Sequence, residues 1–64
     1  MEDAEVHRGL LMGVAYRMLG SVADAEDAVQ DAMARWLSLS PAARARIDSP
    51  AGWLVTVTTR ICLD

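Results

Sequence analysis

The sequence predicts a single all-α domain of three helices over residues 1–64. Two observations carry that prediction. Apolar residues recur at helical rather than alternating spacing, and the punctuating residues are helix caps: Gly20 after the first apolar stretch, Ser21 and Asp24 before the second, and Ser49 with Pro50 before the third.

The first helix is expected over about residues 3–19. Val6, His7, Leu10, Leu11, Val14, Ala15 and Met18 share a face, and Gly20 supplies the left-handed conformation that closes a helix. Gly9, Met12, Gly13 and Tyr16 form a smaller second face, where two glycines allow a neighbouring backbone to come close. The second helix runs to about residue 37. Ser21 and Asp24 are both good N-caps, Asp27 stands at capping-box distance from Asp24, and acids crowd the positive end of the helix dipole. Ala25, Ala28, Val29, Ala32, Met33, Trp36 and Leu37 fill one half of its wheel, while Asp27, Gln30, Asp31 and Ala34 cluster on the other.

Residues 38–48 read as a loop with room for one helical turn after Pro41. This is longer than the ~2–8 residues usual between helices of a bundle. Ser49 as cap and Pro50 at the first helical position then open a third helix with Trp53, Leu54, Val57, Ile61 and Cys62 on its inner stripe and Val55, Thr59 and Leu63 outside it. The β-branched run 55–59 favours a strand by propensity, but the cap and the lack of a pairing partner favour helix. No Gly, Asn or basic residue follows Ile61, and Asp64 opposes the dipole, so this helix is expected to be truncated and the chain to be a fragment of a longer one.

Six arginines, no lysine and nine acids give a formal net charge of −3 with 53% hydrophobic residues. Domains of this size bury only ~60% of their unfolded surface, which leaves little room for a deep catalytic cavity. The acidic balance disfavours sequence-blind nucleic-acid binding, which draws on Lys and Arg, and points to a protein partner. One cysteine rules out an internal disulfide and a cysteine-based zinc site. With no long apolar run and an acidic Met1-Glu2-Asp3 start, the expectation is a cytoplasmic protein with no membrane partner.

Nothing in the chain assembles a catalytic centre. The sequence places no second group at a spacing that marks His7 as a general base, Cys62 occupies the position of a small core hydrophobe, and Asp24, Glu26, Asp27 and Asp31 match neither a calcium loop nor a carboxylate–histidine pair. The expectation is a non-enzyme that needs no cofactor.

The strings AYRMLGS at residues 15–21, DAEDAVQD at 24–31 and SPAGWL at 49–54 together resemble region 2 of bacterial sigma-70-family factors, and within that family the extracytoplasmic-function group. The wording around Tyr16 and Ser21 is similar to the subgroup that adds a C-terminal SnoaL-like domain. The resemblance implies a helical domain for promoter-specific transcription initiation. Such a domain docks on the clamp helices of the RNA polymerase largest catalytic subunit and recognises and melts the minus-ten promoter element, flipping a non-template-strand base out of the stack. The positions matching the docking contacts are Asp27, Gln30 and Asp31, with Glu26 and Ala34 flanking. The positions matching the promoter-reading surface are Arg44 and Arg46 in the loop, for backbone phosphates, and Thr56, Thr59, Arg60 and Leu63 on the third helix.

Two departures from the family pattern matter. Many relatives have Arg-Asn where this chain has Thr59 and Arg60, so the contact of that asparagine does not carry over. Housekeeping factors hold melted DNA with several aromatics, whereas this chain has no Phe and only Tyr16, Trp36 and Trp53. The family also continues the third helix into a run of arginines beyond the position of Asp64.

An alternative from another class is a self-associating helical module, a homodimer built on Gly9, Met12, Gly13, Tyr16, Val55 and Leu63, with no direct reading of DNA. A helix-turn-helix reader fits less well, because that motif uses a tight turn of ~3–4 residues.

Overall fold

In a computed structural model, which describes residues 4–64, a 3-10 turn (Ala4–His7) leads into α1 (Arg8–Leu19). Gly20 closes α1 with φ at 71° and its N–H on the Tyr16 carbonyl at 2.8 Å, a conformation that other residues adopt only under strain. Serine hydroxyls start the other helices. Ser21 accepts the Asp24 N–H at 3.3 Å and opens α2 (Val22–Ser38), Ser40 accepts the Ala43 N–H at 3.1 Å and opens α3 (Pro41–Ala45), and Ser49 accepts the Gly52 N–H at 3.0 Å and opens α4 (Pro50–Leu63). Pro41 and Pro50 each occupy the start of their helix, where the missing N–H costs nothing.

Every long helix packs against the other two. Leu11 and Ala15 of α1, Ala25, Ala28, Val29, Ala32, Met33 and Trp36 of α2, and Leu54 of α4 are buried. The many alanines let the backbones approach closely, while Leu11, Val29, Met33, Trp36 and Leu54 supply most of the apolar volume. Trp53 stands edge-on to Trp36 with ring centroids 5.5 Å apart and an interplanar angle of 61°, so it serves as a half-buried core anchor. Leu39 and Ile47 also pack on the core and pin the two ends of the connection that carries α3. Among the described residues there is no strand, and no helix is long and apolar enough to cross a membrane.

The all-α architecture, the three long helices, the turn after Pro41 and the helical state of the β-branched run agree with the sequence. Four details differ. First, α1 presents Leu11 and Ala15, with Met12 and Leu19 packed beside them, whereas Val6, Leu10 and Met18 are exposed. The helix is apolar almost all round, so spacing does not set its phase. Val6 also belongs to the 3-10 turn, whose tighter winding takes it off the α-helical stripe. The expected start at residue 3 and the Met1-Glu2-Asp3 stretch lie outside the described residues.

Second, Ser21 alone caps α2, and Asp24 sits in its first turn as the residue whose N–H is capped rather than as a cap paired with Asp27. Third, Leu37 is 66% exposed, because Met33 marks the edge of the core arc around α2 and Leu37 falls about 40° beyond it on the helical wheel. Fourth, Thr58 is fully buried beside Leu54 and Val55 packs on the core, so the inner stripe of α4 is rotated from the expected one, and Trp53, Val57, Ile61 and Cys62 are only half-buried.

Candidate functional site

The polar face of α2 follows from its sequence. With alanine and larger apolar residues turned into the core, the intervening Glu26, Asp27, Gln30, Asp31 and Ala34 are all exposed. At about 100° and 1.5 Å per residue they cover an arc of roughly 140° and about 12 Å of ridge, with small Ala34 near the middle of the arc and at the C-terminal end of the ridge. Leu37 extends the ridge by one turn and adds an exposed apolar end that hydrophobic patterning had assigned to the core.

The carboxylates on this ridge differ in their surroundings. Asp31 is engaged by Arg35 of the next turn: Nε and Nη2 each donate to one of its oxygens at 3.3 Å. Glu26 lies in the field of Arg8 on α1. The Arg8 guanidinium is held more firmly in its charged form by the hydrogen bond and charge of Glu5, at 3.0 Å, and in smaller part by Glu26. Asp27 and Gln30 make no side-chain hydrogen bond or ion pair among the described residues. Four acids against one arginine make α2 alone account for the chain's formal charge of −3, so the remaining acids and arginines balance.

A second polar surface lies on α4. Thr56, Arg60 and Leu63 are exposed and Thr59 half-exposed on one arc of the helix, opposite buried Leu54 and Thr58. The Thr59 hydroxyl donates to the Val55 carbonyl at 2.8 Å and is largely committed to its own helix. Arg44 is half-buried in α3, and Arg46, just after that helix, is exposed. Neither forms an ion pair among the described residues. The structure therefore brings Thr56, Thr59, Arg60 and Leu63 together on α4 and holds Arg44 and Arg46 apart on the connection leading into it.

Sequence reasoning missed Arg35 and Leu37. The spacing of Asp31 and Arg35 was available as a signal, since an acid four residues before an arginine is a favoured helical pair. Among the described residues no group of three or more His, Cys, Asp or Glu side chains is placed to hold a metal ion.

Fold and surfaces define a small helical domain, with one acidic ridge and one mixed polar and basic face on separate helices of a shared core. The chain belongs to the sigma-70 region 2 family, which it matches over residues 4–64. It is 47% identical over 58 residues to the probable ECF RNA polymerase sigma factor SigI of Mycobacterium tuberculosis, covering 91% of this chain and 19% of that protein. It is 47% identical over 64 residues to the ECF RNA polymerase sigma factor SigJ of the same organism, covering 100% of this chain and 19% of that protein. The chain thus spans about a fifth of the length of these relatives. No solved structure matches it.

Proposed function

We propose that this domain serves promoter-specific transcription initiation, docking on the clamp helices of the RNA polymerase largest subunit through α2 and reading the non-template strand of the minus-ten element through α4 and the connection before it. The observation that carries the reading is the charge partition: the whole formal charge of −3 sits on α2, whose acids line an exposed ridge, in a chain of the sigma-70 region 2 family. Carboxylates and an amide around a small residue suit a partner helix bearing arginines, where charge-assisted hydrogen bonds give orientation and speed of encounter. Glu26, Asp27, Gln30, Asp31 and Ala34 form the docking surface in this reading, and Leu37 adds an apolar contact at its end. Arg44 and Arg46 contact phosphates, and Thr56, Thr59, Arg60 and Leu63 face the opened strand, with Thr59 contributing mainly its methyl group.

The test is binding of the full chain to a clamp-helix hairpin at low salt. Gln30→Ala combined with Asp31→Arg should weaken binding at least about tenfold, because a repulsive charge replaces an attractive one. Unchanged affinity overturns the docking assignment.

A self-associating module remains a second reading, supported by Leu63 at 73% exposure and by Gly9 and Gly13, where no atom outside the local helix backbone lies within 4 Å of the site a Cβ would take. Met12 and Val55 pack on the core and drop out of that surface, leaving Gly9, Gly13, Tyr16 and Leu63. A monomer by light scattering at working concentration removes the reading.

A further inference from the structure

We infer that Arg35 is an internal competitor on the docking ridge: by clamping Asp31 within its own helix it weakens partner binding, so that Asp27 and Gln30, rather than Asp31, are the principal polar anchors. The inference rests on the docking reading above and concerns how that same surface is tuned.

The geometry is a fork on a carboxylate. Arg35 Nε meets one Asp31 oxygen and Nη2 the other, both at 3.3 Å, with the two side chains 53% and 48% exposed. A carboxylate has about four lone-pair sites, and a guanidinium that takes one on each oxygen leaves no second two-toothed approach to the same edge. An arginine on the partner must therefore either displace Arg35 or settle for a single bond from the far side. Asp27 has no such competitor, since it is exposed and forms no ion pair among the described residues. The acid precedes the base by one turn, the more favourable order for a helical pair. Because the pair is exposed, the competition is small and adjustable by salt rather than a lock.

The experiment is a double-mutant cycle on the full chain, measured by calorimetric titration with the clamp-helix hairpin of the polymerase largest subunit at low salt. Glutamine has nearly the helix propensity of arginine, so Arg35→Gln removes the fork while keeping the helix, and circular dichroism verifies this. Arg35→Gln should tighten binding about two- to threefold, in line with the modest strength of an exposed helical pair. Asp31→Asn should change affinity less than about twofold, Asp27→Asn should weaken it about fivefold or more, and Arg35→Gln should have no effect once Asp31→Asn is present.

Weaker binding by Arg35→Gln would mean that Arg35 itself contacts the partner, and no change would mean that the pair does not compete; either overturns the inference while leaving the docking reading intact. Tightening that persists with Asp31→Asn would assign the effect to long-range charge and likewise overturn it. A native chain that does not bind the hairpin at all overturns the docking reading and this inference together.

Discussion

Replacing Thr58 by valine should stabilise the domain. Thr58 is fully buried on the core side of α4, one turn after fully buried Leu54. Its hydroxyl has no hydrogen-bond partner among the described residues, whereas the neighbouring Thr59 hydroxyl donates to the Val55 carbonyl at 2.8 Å. An unsatisfied buried hydroxyl costs about 1–3 kcal/mol by the measure of protein substitutions. Valine places a methyl group in nearly the same volume, and its helix propensity is close to that of threonine. The expected gain is therefore about 1–2 kcal/mol, a large share of the roughly 3–10 kcal/mol available to a domain of this length. At ~4–8 °C per kcal/mol for small domains, Tm should rise by about 4–16 °C. Thermal unfolding followed by far-UV circular dichroism measures it. Thr58→Ser is the control: it keeps the hydroxyl, loses a methyl group and should cost about 1 kcal/mol. If Thr58→Val leaves Tm unchanged or lowers it, the hydroxyl is satisfied in solution and the reasoning fails.

Ser49→Ala should cost about 1 kcal/mol, since the Ser49 hydroxyl caps α4 by accepting the Gly52 N–H at 3.0 Å, and hydrogen exchange should quicken at the Gly52 amide before it does elsewhere in the helix. Burial pushes the Cys62 thiol above its ordinary pKa, which disfavours the thiolate. Alkylation of Cys62 near pH 8 should therefore be slower in the folded chain than in the chain unfolded by urea. The gap should narrow as pH rises through the raised value, and equal rates at pH 8 would contradict the assignment.

How much was legible depended on how two-faced each helix is. In α2 the sequence separates Asp27, Gln30 and Asp31 from Ala28, Val29 and Ala32 so cleanly that core face and polar ridge follow from spacing alone. In α1 the stretch from Leu10 to Leu19 is apolar on nearly every side. Its phase is set by which side meets both α2 and α4, a tertiary condition that one-dimensional pattern does not contain. The same condition puts Thr58 in the core, against its polarity, because the inner line of α4 is drawn by Leu54 one turn earlier. On the candidate site the residue types were readable, and the i,i+4 spacing of Asp31 and Arg35 offered their pairing. The exposure of Leu37 was not readable, because it depends on Met33 marking the edge of the core arc around α2.

The charge partition also changes the weight of the chain's acidity. Read as a total, −3 opposes any approach to nucleic acid. Read by element, the deficit belongs to α2, and the rest of the chain is neutral, with Arg44, Arg46 and Arg60 on the connection and on the outer face of α4. The domain measures 35 × 22 × 16 Å across its Cα atoms, and α2 and α4 turn their polar faces outward from a common core. At physiological ionic strength the Debye length is about 8 Å, so exposed charges farther apart than that are largely screened from each other. A strand at the outer face of α4 would therefore respond to the arginines beside it more than to the acids on α2. Where the two proposed contacts lie farther apart than the screening length they do not compete electrostatically, and lowering the salt should strengthen the docking of α2 before it repels nucleic acid from α4.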